Sequence, residues 1–178
     1  AVQEGNAYRI LPIRNPRTDR EYLVDTEKTY DNMINKFRYS GLDDEKLYFS
    51  EDYRGFVLNH RSAFNSLTEA LIDEGQMEKA NKVVEFSLTK MPDRVIPYDH
   101  TTATTVDLLF KLGQKEKAIE IAKLLGDRAD EMATFLIEEN SGLSQELRRN
   151  IFILNSLQRT LYENGEMPSS ANAMLLRL

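Results

Sequence analysis

Phe64-Asn65-Ser66-Leu67-Thr68-Glu69-Ala70-Leu71-Ile72-Asp73-Glu74-Gly75-Gln76-Met77-Glu78-Lys79-Ala80-Asn81-Lys82-Val83-Val84-Glu85-Phe86-Ser87-Leu88-Thr89-Lys90-Met91-Pro92 is the stretch that decides the fold. Phe64, Leu67 and Leu71 follow Tyr53, Val57 and His60 at alternating spacings of three and four. That spacing places all six on one face of a helix beginning near Ser50. Gly75 stops this helix where the chain must turn left-handed. A second helix follows with Met77, Ala80, Val84, Leu88 and Met91 inward, and Pro92 closes it.

The same grammar recurs downstream. Ala103, Val106, Leu109 and Phe110 form an apolar face, Gly113 stops it, and Ala118, Ile121, Ala122 and Leu125 begin another. Two helix–Gly–helix units in succession predict a repeat. With Ala80 as the small residue of the second helix, Phe64, Leu67, Leu71, Val84 and Pro92 occupy the other key positions of the tetratricopeptide pattern. The second unit keeps Leu109 and Ala122 but has Thr102 and Thr105 where bulky residues belong. Ala118 lies 38 residues beyond Ala80, and the extra length sits in Arg94-Val95-Ile96-Pro97-Tyr98-Asp99. One unit matches the pattern well and the other is degenerate.

The flanks read differently. Tyr8-Arg9-Ile10-Leu11-Pro12-Ile13 predicts a short edge strand, and Arg14-Asn15-Pro16-Arg17-Thr18-Asp19 a turn. Asp25 or Thr26 caps a predicted helix to about Phe37, with Tyr30, Met33, Ile34 and Phe37 on one face and Ser40-Gly41 as its stop. Beyond Leu125 a long helix is expected through Ala129, Met132, Ala133 and Leu136. Ser144 caps a last one, with Leu147, Ile151, Leu154 and Leu161 inward and Asn164-Gly165 as stop. Met174-Leu175-Leu176 either docks on the core or frays. The expectation is an all-α chain of tetratricopeptide-like antiparallel helix pairs. An amino-terminal appendage (1–49) precedes the helical domain (50–164), and a tail (165–178) follows.

Composition narrows the chemistry. The 178 residues contain no Cys, no Trp and two His. Disulfide scaffolds, zinc fingers, iron–sulfur sites and thiol nucleophiles are thereby excluded. Lys plus Arg is 23 against 29 for Asp plus Glu, a net charge of −6, which argues against nucleic acid as partner. Residues 1–40 hold 7 basic and 6 acidic side chains, so the acidic excess lies downstream. Apolar runs fall far short of the roughly 20 residues that span a bilayer. Ala1 in place of Met, without a signal peptide behind it, predicts a processed chain or a piece of a longer protein.

Catalytic patterns are scarce: no phosphate-binding glycine loop, HExxH or GxSxG occurs. His60 lies on the apolar face of its helix, and His100 precedes the next helix, which suits packing and capping better than catalysis. Asp43-Asp44-Glu45, Glu138-Glu139 and Arg148-Arg149 are adjacent in sequence, so they point apart as solvated charges. No metal site and no cofactor is expected. Two segments are richer than packing requires. Tyr30-Asp31-Asn32-Met33-Ile34-Asn35-Lys36-Phe37-Arg38-Tyr39 mixes aromatics, amides and charges, and Pro97-Tyr98-Asp99-His100-Thr101-Thr102 lies between the repeats. Tyr30, Asp31, Asn32, Lys36, Tyr98 and Asp99 are the candidate ligand- or partner-binding residues. Their alternative role is structural, docking aromatics on the repeats and capping a helix.

Val24-Asp25-Thr26, residues 30–37 and Tyr39-Ser40-Gly41 resemble a block in a family of large bacterial multi-pass membrane proteins. That family is itself similar to protein O-mannosyltransferases. Ala7-Tyr8-Arg9-Ile10-Leu11-Pro12-Ile13, residues 64–92 and Pro97-Tyr98-Asp99 resemble its carboxy-terminal region in the same order, so the likeness runs from about residue 7 to 160. The resemblance implies a carboxy-terminal domain on the periplasmic face of the bacterial inner membrane, joined to a glycosyltransferase-like membrane core. It transfers no catalytic residue to this stretch. Three functions follow as expectations. The first is a non-catalytic interaction domain for a protein, a peptide or the parent's own membrane domain. The second is a carbohydrate- or acceptor-binding accessory domain, and the third, more remote, a stand-alone enzyme.

Overall fold

A computed structural model describes residues 1–12, 14, 22–139 and 142–166. Ile13, most of the 14–19 turn, and the Met174-Leu175-Leu176 tail lie outside them. The chain is mostly helical and divides into two compact units, Ala1–Pro97 and Tyr98–Leu178. The division falls at Pro97; the boundary expected at residue 49 lies inside the first unit, where the appendage is bonded to the helix that follows it. No helix among the described residues is long and apolar enough to cross a membrane.

The first unit opens with three two-residue strands: β1 (Val2–Gln3), β2 (Tyr8–Arg9) and β3 (Leu23–Val24). β1 is central, antiparallel to β2 and parallel to β3. The strand expected from Tyr8 thus stops at Arg9. α1 (Thr26–Tyr30) follows, and Asp25 caps it by accepting from the Lys28 N–H at 3.0 Å. It does not run to Phe37 as one α-helix. Residues Asp31–Lys36 widen to a π-helical turn, closed by the Phe37 N–H donating to the Asn32 carbonyl at 2.8 Å, five residues back. The wider turn shifts the face: Met33 is fully buried while Phe37 stands partly in solvent.

α2 (Glu51–Asp73) and α3 (Met77–Lys90) form the first helix pair. Val57, Phe64, Leu67 and Leu71 are buried as expected, but Tyr53 is 67% exposed. The reason is length. At 1.5 Å per residue the 14 residues of α3 reach along only about two thirds of the 23 of α2. The Arg61 side chain, tilted toward the start of α2, meets the end of α3 there, its guanidinium donating to the Met91 carbonyl at 3.1 Å. Residues 51–56 project past that point. In α3, Ala80, Val83 and Val84 are buried, as is Met91 at its C-cap, whereas Met77, expected inward, stands at the exposed first turn.

The second unit holds α4 (His100–Lys111), α5 (Lys115–Glu138) and α6 (Gln145–Glu163), each in contact with the other two. α5 is one continuous helix through Leu125 and Leu136. It outruns the shorter α4, and Ala133 and Leu136 near its end pack instead with Leu147, Ile151 and Leu154 of α6. Ser144 caps α6 by accepting from the Leu147 N–H at 3.1 Å. The buried face of α6 is Leu147, Ile153, Leu157 and Thr160; Ile151, Leu154 and Leu161, expected at its centre, lie at its margin. Leu108, Thr102 and Thr105 of α4 are buried too, so the two threonines are core residues.

The turns of the two pairs are the same object built twice. The Gly75 N–H donates to Ile72 and the Gln76 N–H to Leu71; the Gly113 N–H donates to Phe110 and the Gln114 N–H to Leu109. Both are Schellman caps with the glycine at positive φ, +74° and +77°. Gln76 and Gln114 then accept from the N–H groups of Ala80 and Ala118, both buried, at 3.0 Å. An added Cβ at either glycine meets nothing within 4 Å. Gly75→Ala and Gly113→Ala therefore each cost about 1 kcal/mol, from the left-handed backbone alone. Gly126→Ala, inside α5 with Leu157 at an ordinary 3.7 Å, is neutral or stabilising by up to about 1 kcal/mol. Thermal unfolding of the three variants checks the contrast.

Candidate functional site

Asn32, one of the candidate binding residues, uses its amide N–H to hold the Glu4 carbonyl at 3.0 Å. Glu4 in turn accepts from Arg9 and Lys28, at 2.7 Å each, and these cations hold its carboxyl below the usual range. Asp31 pairs with Lys36 at 2.5 Å and accepts from Asn35 at 3.1 Å, and Lys36 foremost holds its carboxyl low. The Tyr30 ring lies 5.8 Å from the Lys79 ammonium. Each of these four side chains thus has a partner inside the first unit. Tyr98 and Asp99 belong to the second unit. Asp99 caps α4, accepting from Thr101 N–H at 2.7 Å while its own N–H donates to Thr102 Oγ1 at 3.3 Å, a capping box. The Tyr98 carbonyl accepts from Arg128 at 3.5 Å.

What the segment around residue 30 does is fasten the appendage. Gln3 is buried and donates to the carbonyls of Gly5 and Ala63. Thr29 donates to the Gln3 carbonyl at 3.0 Å, and Thr26 to the Glu74 carboxylate at 2.9 Å. Tyr39 packs its ring on Phe64, Phe86 and His60, with centroids 5.6 to 5.7 Å apart, and donates to the Met33 carbonyl at 3.0 Å. Burial pushes the Tyr39 phenol up, so it stays a donor.

His60 sits at the edge of this cluster, its Nδ1 in hydrogen-bond contact with the Asn6 amide. Accepting at Nδ1 puts the proton of the neutral ring on Nε2. Burial pulls its pKa below the ordinary 6.5. Below about pH 6.5 the unfolded chain then binds a proton that the folded chain does not, so stability falls as the pH drops through that point. The low carboxyls of Glu4, Asp31 and Asp43 lose their contribution only at lower pH, below the ordinary carboxyl values of 3.8 to 4.5. Melts between pH 7.5 and 5 show a decline in the native chain that His60→Gln removes; an equal decline in both would assign it to other groups.

His100 is half-exposed, 3.9 Å from the Asp99 carboxylate. Among the described residues no three His, Asp or Glu side chains form a metal-holding group. Sequence reasoning missed that large apolar side chains stand in solvent on several helices, among them Tyr53 and Phe56 on α2, Leu124 and Phe135 on α5, and Phe152 and Tyr162 on α6. Tyr53 and Phe56 sit three apart on one side of a helix, a spacing visible in the sequence but indistinguishable there from a core stripe. No protein-family model, curated protein or solved structure matches the chain.

Proposed function

We propose that the chain is a non-catalytic interaction domain that binds a protein or peptide partner, or the membrane core of its parent, through the outer faces of tetratricopeptide-like helix pairs. The resemblance of residues 7–160 to a carboxy-terminal domain of glycosyltransferase-like membrane proteins supports a periplasmic setting for this role. The observation that carries the reading is the exposure of large apolar side chains on regular helices, with Phe56 at 70% and Phe135 at 56%. Exposed helix faces of this kind are what stacked helix pairs use for recognition. The carbohydrate reading is weaker, because Asp31, Asn32, Lys36 and Asp99 spend their polar groups on intramolecular partners.

The test is a titration of the purified chain against the parent's membrane core and its acceptor proteins, paired with deletion of residues 1–178 from the full-length protein. Saturable binding to one of them, with loss of activity on deletion, supports the reading. Absence of binding together with an unaffected deletion overturns it.

A further inference from the structure

Among the described residues several carboxylates are matched with a single cation, as in Asp43 with Lys90, Glu45 with Arg94, Asp107 with Lys111 and Glu166 with Lys115. One face of α5 sets carboxylates without such partners in a single row together with apolar side chains. Glu120, Leu124, Asp127, Glu131, Phe135 and Glu138 follow one another at spacings of four, three, four, four and three, which aligns them along one side of the helix. All six are exposed. Among the described residues none of the four carboxylates has an ion-pair or hydrogen-bond partner. Leu124 at 44% and Phe135 at 56% exposure stand among them, while Ile121, Leu125, Ala129 and Leu136 supply the buried face of the same helix. The row extends about 27 Å from Glu120 to Glu138 at 1.5 Å per residue.

Neither packing nor internal pairing accounts for two large apolar side chains set in a row of four unmatched acids. We infer that this face docks a basic amphipathic helix of a partner protein. Its apolar side chains lie on Leu124 and Phe135, and its Lys and Arg on Glu120, Asp127, Glu131 and Glu138. The inference rests on the reading of the chain as an interaction domain and names the face and the class of partner. Charge selects the occupant. A second copy meeting this face with its own sets like charges against each other, which disfavours that pairing. Anionic lipid and nucleic-acid phosphate are repelled in the same way. A helix presenting anchors at i, i+3, i+4 and i+7 fits a row with this period.

The test uses the full chain and a labelled 18-residue amphipathic peptide with Lys along one side and two Leu three turns apart. Saturable one-to-one binding is expected, weakened about tenfold or more by Asp127→Lys with Glu131→Lys, and about tenfold by Phe135→Ala. Glu51→Lys with Asp52→Lys on α2 makes the same charge change elsewhere and leaves affinity within about twofold if the α5 face is the site. Equal losses from the two double variants, or none from the α5 pair, overturn the inference. All substituted side chains are exposed, and unchanged melting temperatures confirm that the variants fold. If the peptide does not bind but the parent's membrane core does, the face assignment fails and the interaction reading stands. If neither the peptide, the membrane core nor an acceptor protein binds, and deletion leaves the parent's activity unaffected, both fail.

Discussion

Substitution of Arg61 by Met lowers the unfolding free energy by about 3–5 kcal/mol, the summed cost of buried acceptors left without a donor. Arg61 is 4% exposed, in the middle of α2, and its guanidinium donates to three carbonyls: Met91 at 3.1 Å, Ile96 at 2.5 Å and Pro97 at 2.9 Å. These are the last carbonyl of the α3 cap and two from the loop that ends the first unit. Methionine fills the volume of the stem but donates nothing, so each buried acceptor loses its partner at about 1–3 kcal/mol. Arg61→Lys keeps the charge but replaces a planar fork with a single ammonium, and loses about 1–3 kcal/mol. Urea midpoints order the three chains native, Lys, Met. A Met variant within about 1 kcal/mol of native would mean that water satisfies those carbonyls and that Arg61 does not hold the loop.

Phe64→Ala destabilises by a comparable amount, about 3–5 kcal/mol. Phe64 is fully buried where the appendage, α2 and α3 meet, its ring 5.6 Å from that of Tyr39 and 5.9 Å from that of Phe86. Truncation removes the apolar area and the ring contacts together, and the cavity closes only partly because Leu67, Val83 and Met33 are already packed. Phe64→Leu retains much of the volume and costs about half as much. Since Tyr39 is held by this ring and by the Met33 carbonyl, the Ala variant also loosens residues 31–39, which hydrogen exchange reads directly.

The helix pairs were legible because their signals are local. Gly75 and Gly113 punctuate two apolar series of helical period, and small Ala80 and Ala118 sit where helices approach closely. What escaped was whatever depends on a neighbour's length. Tyr53 continues the apolar series of α2 perfectly, yet it stands 67% exposed, because α3 is much shorter than α2 and does not reach its first turns. Leu108, Val83 and Ile153 are buried because their helices touch more than one surface, which a single stripe does not describe. The π-helical turn at Asp31–Lys36 has no pattern that separates it from an α-helix, and it moved Phe37 outward. As for the candidate site, the sequence identified segments dense in polar groups. It offered a structural role beside the binding one without separating them; in the structure Asn32 holds the Glu4 carbonyl, Asp99 caps α4 and Asp31 pairs within its own turn. The row on α5 is visible in the spacing of the sequence, but only the absence of partners among the described residues gives it meaning.

Gln76 and Gln114 each complete the cap of one helix while opening the next, so neither hairpin contains a spare residue. One inserted residue there would rotate the following helix by about 100° about its axis, carrying Ala80 and Val83, or Ala118 and Ile121, away from the core. Length variation among chains built on this plan is therefore barred from residues 74–76 and 112–114, and must be absorbed between one pair and the next.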